Sequence, residues 1–544
     1  MLGKMMHRPL RISDILEFAA DAFPTAEIIS ARTEGDIHRQ TYPETRDRVC
    51  QLAHALQKLG VEMGDRVATL AWNGYRHFEL YYAVSGIGAV CHTINPRLSV
   101  EQLIYIVNHA DDRLIFVDTT FVPLLEAVQE HLPKGLTYVI MTDRDHMPAT
   151  SLVGALCYED LLKGQPQRMD WRDFDENTAA GLCYTSGTTG HPKGALYSHR
   201  SNVLHAMMIA VTLGNTFREG QKVLPVVPLF HVNAWGLPYA GPMAGLSLVM
   251  PGPALDGPSL FKLMDQENVY SAWGVPTVWL GLLAEIKEQG RKPNGFGDVV
   301  IGGSAAPRSM IEAFEKMDVS VGHAWGMTEM SPVGTHGTLP SFTNDWPLEK
   351  RLDLKQTQGR RVFGVELKIV DDDGERLPND GKAVGELFVR GNAVVAGYYN
   401  NDEATAEALD EEGWFGTGDV ASIDKDGYLT IQDRAKDLIK SGGEWISSID
   451  LENAAMAHPS IANCAAIGVP HPKWDERPIL VAVPTDSERV TLEELHELLS
   501  EHFAKWQLPD DIVWVDELPM TATGKVSKLN LRKALADYKH PEVH

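Results

Sequence analysis

The sequence predicts an α/β fold: a large N-terminal domain of two βαβ-type subdomains plus a barrel-like antiparallel subdomain, followed by a small α+β domain. Three observations predict it. Short apolar strands alternate with amphipathic helices as far as about residue 317, the pattern of βαβ units and a largely parallel sheet. From about residue 362 this gives way to short strands separated by Asp/Gly turns, such as Asp371-Asp372-Asp373-Gly374 and Asp424-Lys425-Asp426-Gly427. From about residue 449 a compact α+β pattern follows a charged run at 433–437, which reads as a domain boundary.

The elements follow in order. Residues 14–22 form a first helix with Ser13 as N-cap, and 43–59 a second that Gly60 ends. A strand at 67–70, a helix near 76–87, a strand at 89–94, a helix at 99–109 and a strand at 114–117 continue the alternation. After a Gly/Thr-rich loop the pattern resumes, with helices at 201–211, 258–267, 277–289 and 307–317 and strands at 222–227, 246–250 and 298–302. The antiparallel part has strands at 365–370, 386–389, 421–423 and 428–431. The last part reads as helix 449–457, strands 461–469 and 478–484, helix 491–505, strand 512–515 and a helix near 529–538.

Composition narrows the function. A chain of 544 residues with 44% apolar and 23% charged residues is an ordinary large soluble protein. A net charge of −25 opposes nucleic-acid and anionic-membrane binding, so any site for an anionic substrate must gather its positive charge locally. The five cysteines are scattered without a CxxC pair and read as reduced thiols of a cytoplasmic protein. The N-terminus lacks the apolar core of a signal peptide, and no run of about 18 apolar residues predicts a membrane span.

The most informative stretch is Tyr184-Thr185-Ser186-Gly187-Thr188-Thr189-Gly190-His191-Pro192-Lys193-Gly194. Its hydroxyls, its glycines and one lysine supply short donors, close backbone approach and a charge, which is what a polyphosphate needs. It lacks the GK[ST] of a Walker A loop, and Pro192 disfavours helix at His191, so it does not feed directly into a helix N-terminus. Four further stretches bear functional groups: Gly302-Gly303-Ser304-Ala305-Ala306-Pro307, Ala324-Trp325-Gly326-Met327-Thr328-Glu329, Gly413–Asp419, and the run from Asp433 to Ser447. Near the end, Thr523-Gly524-Lys525 places one lysine on a flexible segment. In Pro228–Trp235, His231 and Trp235 stand at i, i+4 and share one face if the segment is helical.

In this order the stretches resemble those of the adenylate-forming superfamily: acyl-CoA synthetases, carrier-linked adenylation domains and firefly-type luciferases. The resemblance runs from about residue 180 to 530. It implies ATP, Mg²⁺ and CoA as co-substrates or cofactor, with a small carboxylic acid as the other partner. Thr185, Ser186, Gly187, Thr188, Thr189, Gly190 and Lys193 are then the phosphate lid. Gly303, Ser304 and Ala305 line the adenine, Ala324, Trp325, Gly326 and Met327 also bind the nucleotide, and Thr328 lines the phosphates with Glu329. Trp325 stands where the family usually has Tyr, which keeps the aromatic face and removes the phenol. Thr185 and Glu329 are the oxygens near the metal. Asp419 and Arg434 hold the ribose. Lys525, His231 and Glu329 are the catalytic positions, with Lys525 bringing charge to the carboxylate and α-phosphate. His231 and Trp235 line the acyl pocket, and Trp235 shortens it. Lys436 is the hinge between domains 1–435 and 436–544, which makes the small domain mobile. Lys440, Gly442, Gly443 and Trp445 border the pantetheine of CoA and the acyl channel. A homodimer is also implied.

The expected activity is AMP-forming synthesis of an acyl-CoA through acyl-AMP. The Gly-Gly-Glu-Trp-Ile-Ser-Ser and His-Val-Asn-Ala-Trp-Gly runs look most like medium- and long-chain fatty acyl-CoA synthetases and 3-methylmercaptopropionate-CoA ligases. The alternatives are a stand-alone adenylating enzyme serving a carrier protein, a luciferase-type oxygenase, and a non-enzymatic nucleotide sensor. The sequence ends about twenty residues after Lys525, without the thiolation domain that normally follows a carrier-dependent module. A sensor has little reason to keep Lys525 together with the hinge.

Overall fold

The computed structural model describes residues 1, 3–185, 191–214, 216–442, 444–485, 489–521, 525–538 and 540. Two large sheets build the N-terminal part. One has seven strands in the order Leu156–Cys157, Thr137–Ile140, Asp112–Val117, Arg66–Leu70, Val90–Thr93, Ala179–Tyr184, Gly194–Ser198, parallel except for the last pair. The other has nine strands and a parallel centre: Ser320–Gly326, Asp298–Ile301, Ser271–Gly274, Lys222–Pro225, Ser247–Met250 and Glu27–Ala31. Their strands carry apolar residues on both faces because helices cover both.

The two sheets share one core. Helix Tyr75–Gly86 is buried on all its faces, and its residues pack in a cluster that also holds Val67 and Phe116 of the first sheet and Val223 and Leu248 of the second. Helix Tyr42–Lys58 starts at Thr41, whose hydroxyl caps the Glu44 N–H while the Glu44 carboxylate accepts from Thr41.

The same core continues into a four-stranded antiparallel meander, Val365–Val370, Gly385–Gly391, Phe415–Ile423, Leu429–Arg434. The C-terminal part is a separate five-stranded sheet. In its long strand Ile461–His471, Ala466 faces one cluster and Ala465 and Ile467 the other, so alternation buries both faces.

Most expected elements are present to within a few residues. Ser13 is a correction: the first helix is Ile12–Ala22, with Arg11 at the N-cap position, and Ser13 lies inside it. Helix Leu492–Leu499 is shorter than the expected 491–505, because Ser500 starts a turn rather than another helical turn. Strand Glu27–Ala31, despite its Ile-Ile pair, was not expected, and Ile37–Thr41 and the Gly-containing Ser320–Gly326 lack an apolar strand run.

Functional groups gather where open α/β sheets place them, at the carboxyl ends of the parallel strands. Strand Asp298–Ile301 runs into Gly302–Pro307, Ser320–Gly326 into Met327–Glu329, and Lys222–Pro225 into the segment holding His231.

Candidate active site

Lys525 reaches into this crevice from the C-terminal part. A Cβ added to Gly303 would lie 3.5 Å from Lys525 Cε, 3.0 Å from Val275 and 3.9 Å from the Trp235 ring, so the lysine stem lies on the bare Gly303 backbone (φ +84°). Burial, then Arg434, push the Lys525 pKa down to about 8, while Asp419 and Glu329 draw it back up. In the protein without nucleotide, its charged form is therefore lost as pH rises through about 8. The adenylation kcat/KM for ATP is expected to fall above that pH, measured by initial-rate pyrophosphate release between pH 6 and 10.

Asp419 is buried, with both carboxylate oxygens engaged. Arg434 Nε lies 2.8 Å from Oδ1, and the Trp325 indole N–H donates to Oδ2 at 2.8 Å. Trp325 therefore does more than replace an aromatic face: its N–H fixes the acidic group expected to face a ribose. Gly326 is packed so tightly that an added Cβ would sit 1.9 Å from the Pro332 carbonyl oxygen. The turn Gly302–Ala306 is tied down from behind, since the Ala306 N–H donates to His323 Nε2 at 3.3 Å. Ser304 is exposed and Ala305 half-buried on its rim.

The Gly/Thr-rich stretch connects two antiparallel strands, Ala179–Tyr184 and Gly194–Ser198, and so returns as a strand rather than entering a helix. Residues 186–190, expected as phosphate ligands, lie outside the described residues. At its ends, the Thr185 N–H donates to the Lys193 carbonyl (2.9 Å) and the Lys193 N–H to Thr185 Oγ1 (3.3 Å). Lys193 Nζ stands 5.1 Å over the Tyr398 ring, and the Tyr398 hydroxyl donates to Glu329 Oε1 at 2.7 Å. Burial raises the Glu329 pKa, against Tyr398, Arg434 and Lys193. A buried carboxylate and a threonine hydroxyl are hard oxygen donors of the kind that suits Mg²⁺. Thr328 is buried, and its carbonyl accepts from Tyr197 at 2.7 Å. Tyr398 was not singled out from sequence; the available signal was the paired tyrosines in Gly397-Tyr398-Tyr399-Asn400.

The acyl side corrects an expectation. His231 and Trp235 do not share a right-handed helical face. Val232, Asn233, Ala234 and Trp235 have φ of 47°, 52°, 45° and 56°, and Gly236 follows at 82°, making a left-handed turn. Such a turn costs non-glycine residues about 1–2 kcal/mol each and persists only when its surroundings enforce it. Asn73 anchors the segment leading into it: its carboxamide oxygen accepts from Leu229 N–H (2.6 Å), and its nitrogen donates to the Pro225 and Val227 carbonyls (2.8 and 2.9 Å). Tyr81 donates to the Leu229 carbonyl at 2.5 Å, and Ala234 N–H to Pro228 at 3.1 Å. The turn swings Trp235 over Gly302 and Gly303 while burial and Lys525 lower the His231 pKa to about 3. His231 is thus a neutral imidazole at physiological pH.

The structure does not bring the expected CoA residues to this cluster. Lys440 and Trp445 pair across the hairpin Ile439–Ser441/Glu444–Ile446, where Trp445 is 55% exposed and Lys440 Nζ stands 5.8 Å over its ring. Gly442 donates its N–H to the Trp474 carbonyl at 2.8 Å, and Gly443 lies outside the described residues. Lys436 sits exposed between the meander and this sheet. Just before it, Asp433 accepts from Ser448 N–H (2.7 Å) and Ser448 Oγ (2.5 Å), while Lys528 contacts Ser448 and pairs with Glu452 at 2.7 Å. Asp433 thus ties together the two sides of the hinge expected at Lys436.

The chain matches the family model described as AMP-binding enzyme over residues 16–399, and the AMP-binding enzyme C-terminal domain over 450–525. It is 50% identical over 538 residues to the 3-methylmercaptopropionyl-CoA ligase of Ruegeria lacuscaerulensis, covering 99% of each chain. It is 48% identical over 540 residues to the medium-chain-fatty-acid–CoA ligase of Ectopseudomonas oleovorans, covering 99% of this chain and 98% of that one. Its fold is similar to that of the anthranilate CoA ligase AuaEII in complex with anthranoyl-AMP, with a TM-score of 0.87 at 25% identity over 98% of this chain and 99% of that one. With both family models matched in turn and half of its residues shared with a relative along nearly the whole length, the protein belongs to the AMP-binding enzyme family.

Proposed function

We propose that this protein is an ATP-dependent carboxylic acid–CoA ligase that makes an acyl-CoA through acyl-AMP, and that its acid is a small to medium aliphatic one. The observation that carries the reading is Lys525 lying on Gly303 beside the Asp419–Arg434 pair, with Trp235 and neutral His231 on the other side. Nucleotide and acid then meet at one half-buried cation.

In the first step the acid's carboxylate attacks the α-phosphorus, pyrophosphate leaves, and acyl-AMP forms. Lys525 offsets the repulsion between carboxylate and phosphate and the charge of the transition state, while no protein nucleophile is needed. Asp419 accepts from the ribose hydroxyls, and Trp325 and Arg434 hold it in place. Gly303, Ser304, Ala305 and Ala324 offer the adenine a flat backbone wall. His231, being neutral, can accept or donate a hydrogen bond near the carboxylate without adding charge. Thr185 and Glu329 would hold Mg²⁺, which when bound offsets phosphate charge. In the second step the CoA thiol attacks the acyl carbon and AMP leaves. For this the domain 436–544 turns about Lys436, bringing Lys440, Gly442, Gly443 and Trp445 toward the pantetheine.

The relatives' names point to acids such as a medium-chain fatty acid or 3-(methylthio)propionate. A cytoplasmic homodimer completes the reading: all five cysteines are free and buried, and among the described residues no helix is long and apolar enough to cross a membrane. An acid panel with ATP and CoA, measuring AMP release, tests the activity. The expected result is CoA-dependent AMP release with one or more C3–C10 acids. Acyl-AMP formation that CoA fails to turn over would favour a carrier-protein acceptor, and absence of any pyrophosphate exchange would refute the reading.

A further inference from the structure

A short strap, residues 395–399, crosses from the turn that holds Glu329 to the strand Gly194–Ser198 that follows the Gly/Thr-rich loop. At one end the Val395 N–H donates to the Glu329 carbonyl at 2.8 Å, and at the other the Tyr399 N–H donates to the Gly194 carbonyl at 2.8 Å. Tyr398 stands between them. Its backbone N–H donates to Thr405 Oγ1 at 2.8 Å, on helix Asp402–Ala408. Its ring is contacted by two neighbours: Lys193 Nζ lies 5.1 Å from its centroid, and Phe415 meets it edge-on with centroids 6.0 Å apart. Backbone and ring are both held, so the hydroxyl keeps one position, in which it donates to Glu329 Oε1 at 2.7 Å.

A carboxylate has two oxygens, and this bond occupies one of them. A phenol O–H donating to an ionised carboxylate is a charge-assisted bond, stronger than a neutral one. A cation that took Glu329 through both oxygens would have to displace it. Mg²⁺ has little use for the second oxygen: it is small, demands near-octahedral geometry and is bound through one or two carboxylates together with phosphates and water. Ca²⁺ is larger, takes about six to eight oxygens and readily accepts both oxygens of one carboxylate.

Resting on the ligase reading with Glu329 as its metal ligand, we infer that Tyr398 is a positioning residue that restricts Glu329 to a single metal-binding oxygen and so selects Mg²⁺ over larger divalent cations on the bound nucleotide. It acts through Glu329. A hydrogen bond that orients a metal ligand is typically worth about ten- to a hundredfold in metal affinity or activity. A tyrosine with a merely structural role would affect binding with every cation alike, whereas this one sets the ratio between cations.

The test needs no turnover. Binding of α,β-methylene-ATP, without acid or CoA, is measured by calorimetry with Mg²⁺ and with Ca²⁺, and the readout is the ratio of the two Kd values. The intrinsic preference of the phosphates for either cation cancels when variant and wild-type ratios are compared. Wild type should bind the Mg²⁺ complex more tightly. Tyr398→Phe keeps the ring beside Lys193 and removes the hydroxyl, so the preference for Mg²⁺ is expected to fall about tenfold. Thr405→Val removes the acceptor of the Tyr398 N–H and leaves ring and hydroxyl in place. It should lower the preference by less, about threefold, and serves if the phenylalanine variant misfolds. A ratio unchanged from wild type in the folded variants, including equal weakening with both cations, would overturn the inference and leave the ligase reading standing. Wild-type binding that is the same with Mg²⁺, with Ca²⁺ and with neither would remove Glu329 as a metal ligand and take the inference with it, so the two failures are distinguishable.

Discussion

Replacing Lys525 by alanine is expected to slow acyl-AMP formation about a thousandfold while leaving conversion of supplied acyl-AMP and CoA to acyl-CoA within a few-fold of wild type. The magnitude is that of removing a preorganised charge from a water-poor site where charge develops, about 10²–10³ or slightly more. The asymmetry follows from geometry. Lys525 lies at Gly303 only while the C-terminal part is in the orientation described, and the second step is assigned to the rotated one. Lys525→Arg should recover little, because a planar guanidinium does not fit the narrow space between Val275, Trp235 and the Gly303 backbone. Pyrophosphate exchange reports the first step, and a thiol-consumption assay with synthetic acyl-AMP the second. Equal losses in both would remove Lys525 from its assigned role.

Asp433→Ala is expected to lower adenylation about ten- to a hundredfold without slowing the second step. Asp433 lies on strand Leu429–Arg434, before Lys436, whereas its partner Ser448 lies after it. Burial raises the Asp433 pKa and Lys528 opposes that, so the carboxylate sits in a network whose loss is felt fully. The rotation about Lys436 proposed for the second step would break these bonds. They therefore stabilise the pose that delivers Lys525 and no other. Asp433 acts through Lys525 as a positioning residue, which gives a sharper check. In a Lys525→Ala background, Asp433→Ala should add almost nothing to the adenylation defect. Additive defects would mean that it acts elsewhere.

Much of the fold was legible because strongly periodic segments dominate it, and short parallel strands such as Asp298–Ile301 and Ser247–Met250 read as apolar runs bounded by turns. The stretches proposed to meet ribose and adenine were legible as ordered motifs, and their convergence on Lys525 needed coordinates. What stayed hidden was set by contacts distant in sequence. Asp433 meets Ser448 fifteen residues on, and Glu329 meets Tyr398 across 69. The His231–Trp235 spacing suggested an ordinary helix, since local propensity never favours four non-glycine residues with positive φ. Asn73, more than 150 residues away in sequence, anchors the segment that leads into the turn, and Tyr81, equally distant, donates to the turn's Asn233.

The left-handed turn at Val232–Gly236 also bears on how the protein can change. Its four non-glycine residues together hold on the order of 4–8 kcal/mol, comparable to the whole stability of many folded domains. Glycine at Ala234 would release part of that and raise the melting temperature, and the same freedom would let Trp235 drift from the wall of the pocket. A selection for heat resistance alone would accept the exchange readily, whereas a selection for one acid over another would reject it. Selectivity and thermal endurance thus pull against each other in this one turn, so heat-stable variants that keep their substrate should draw their stability from elsewhere in the chain.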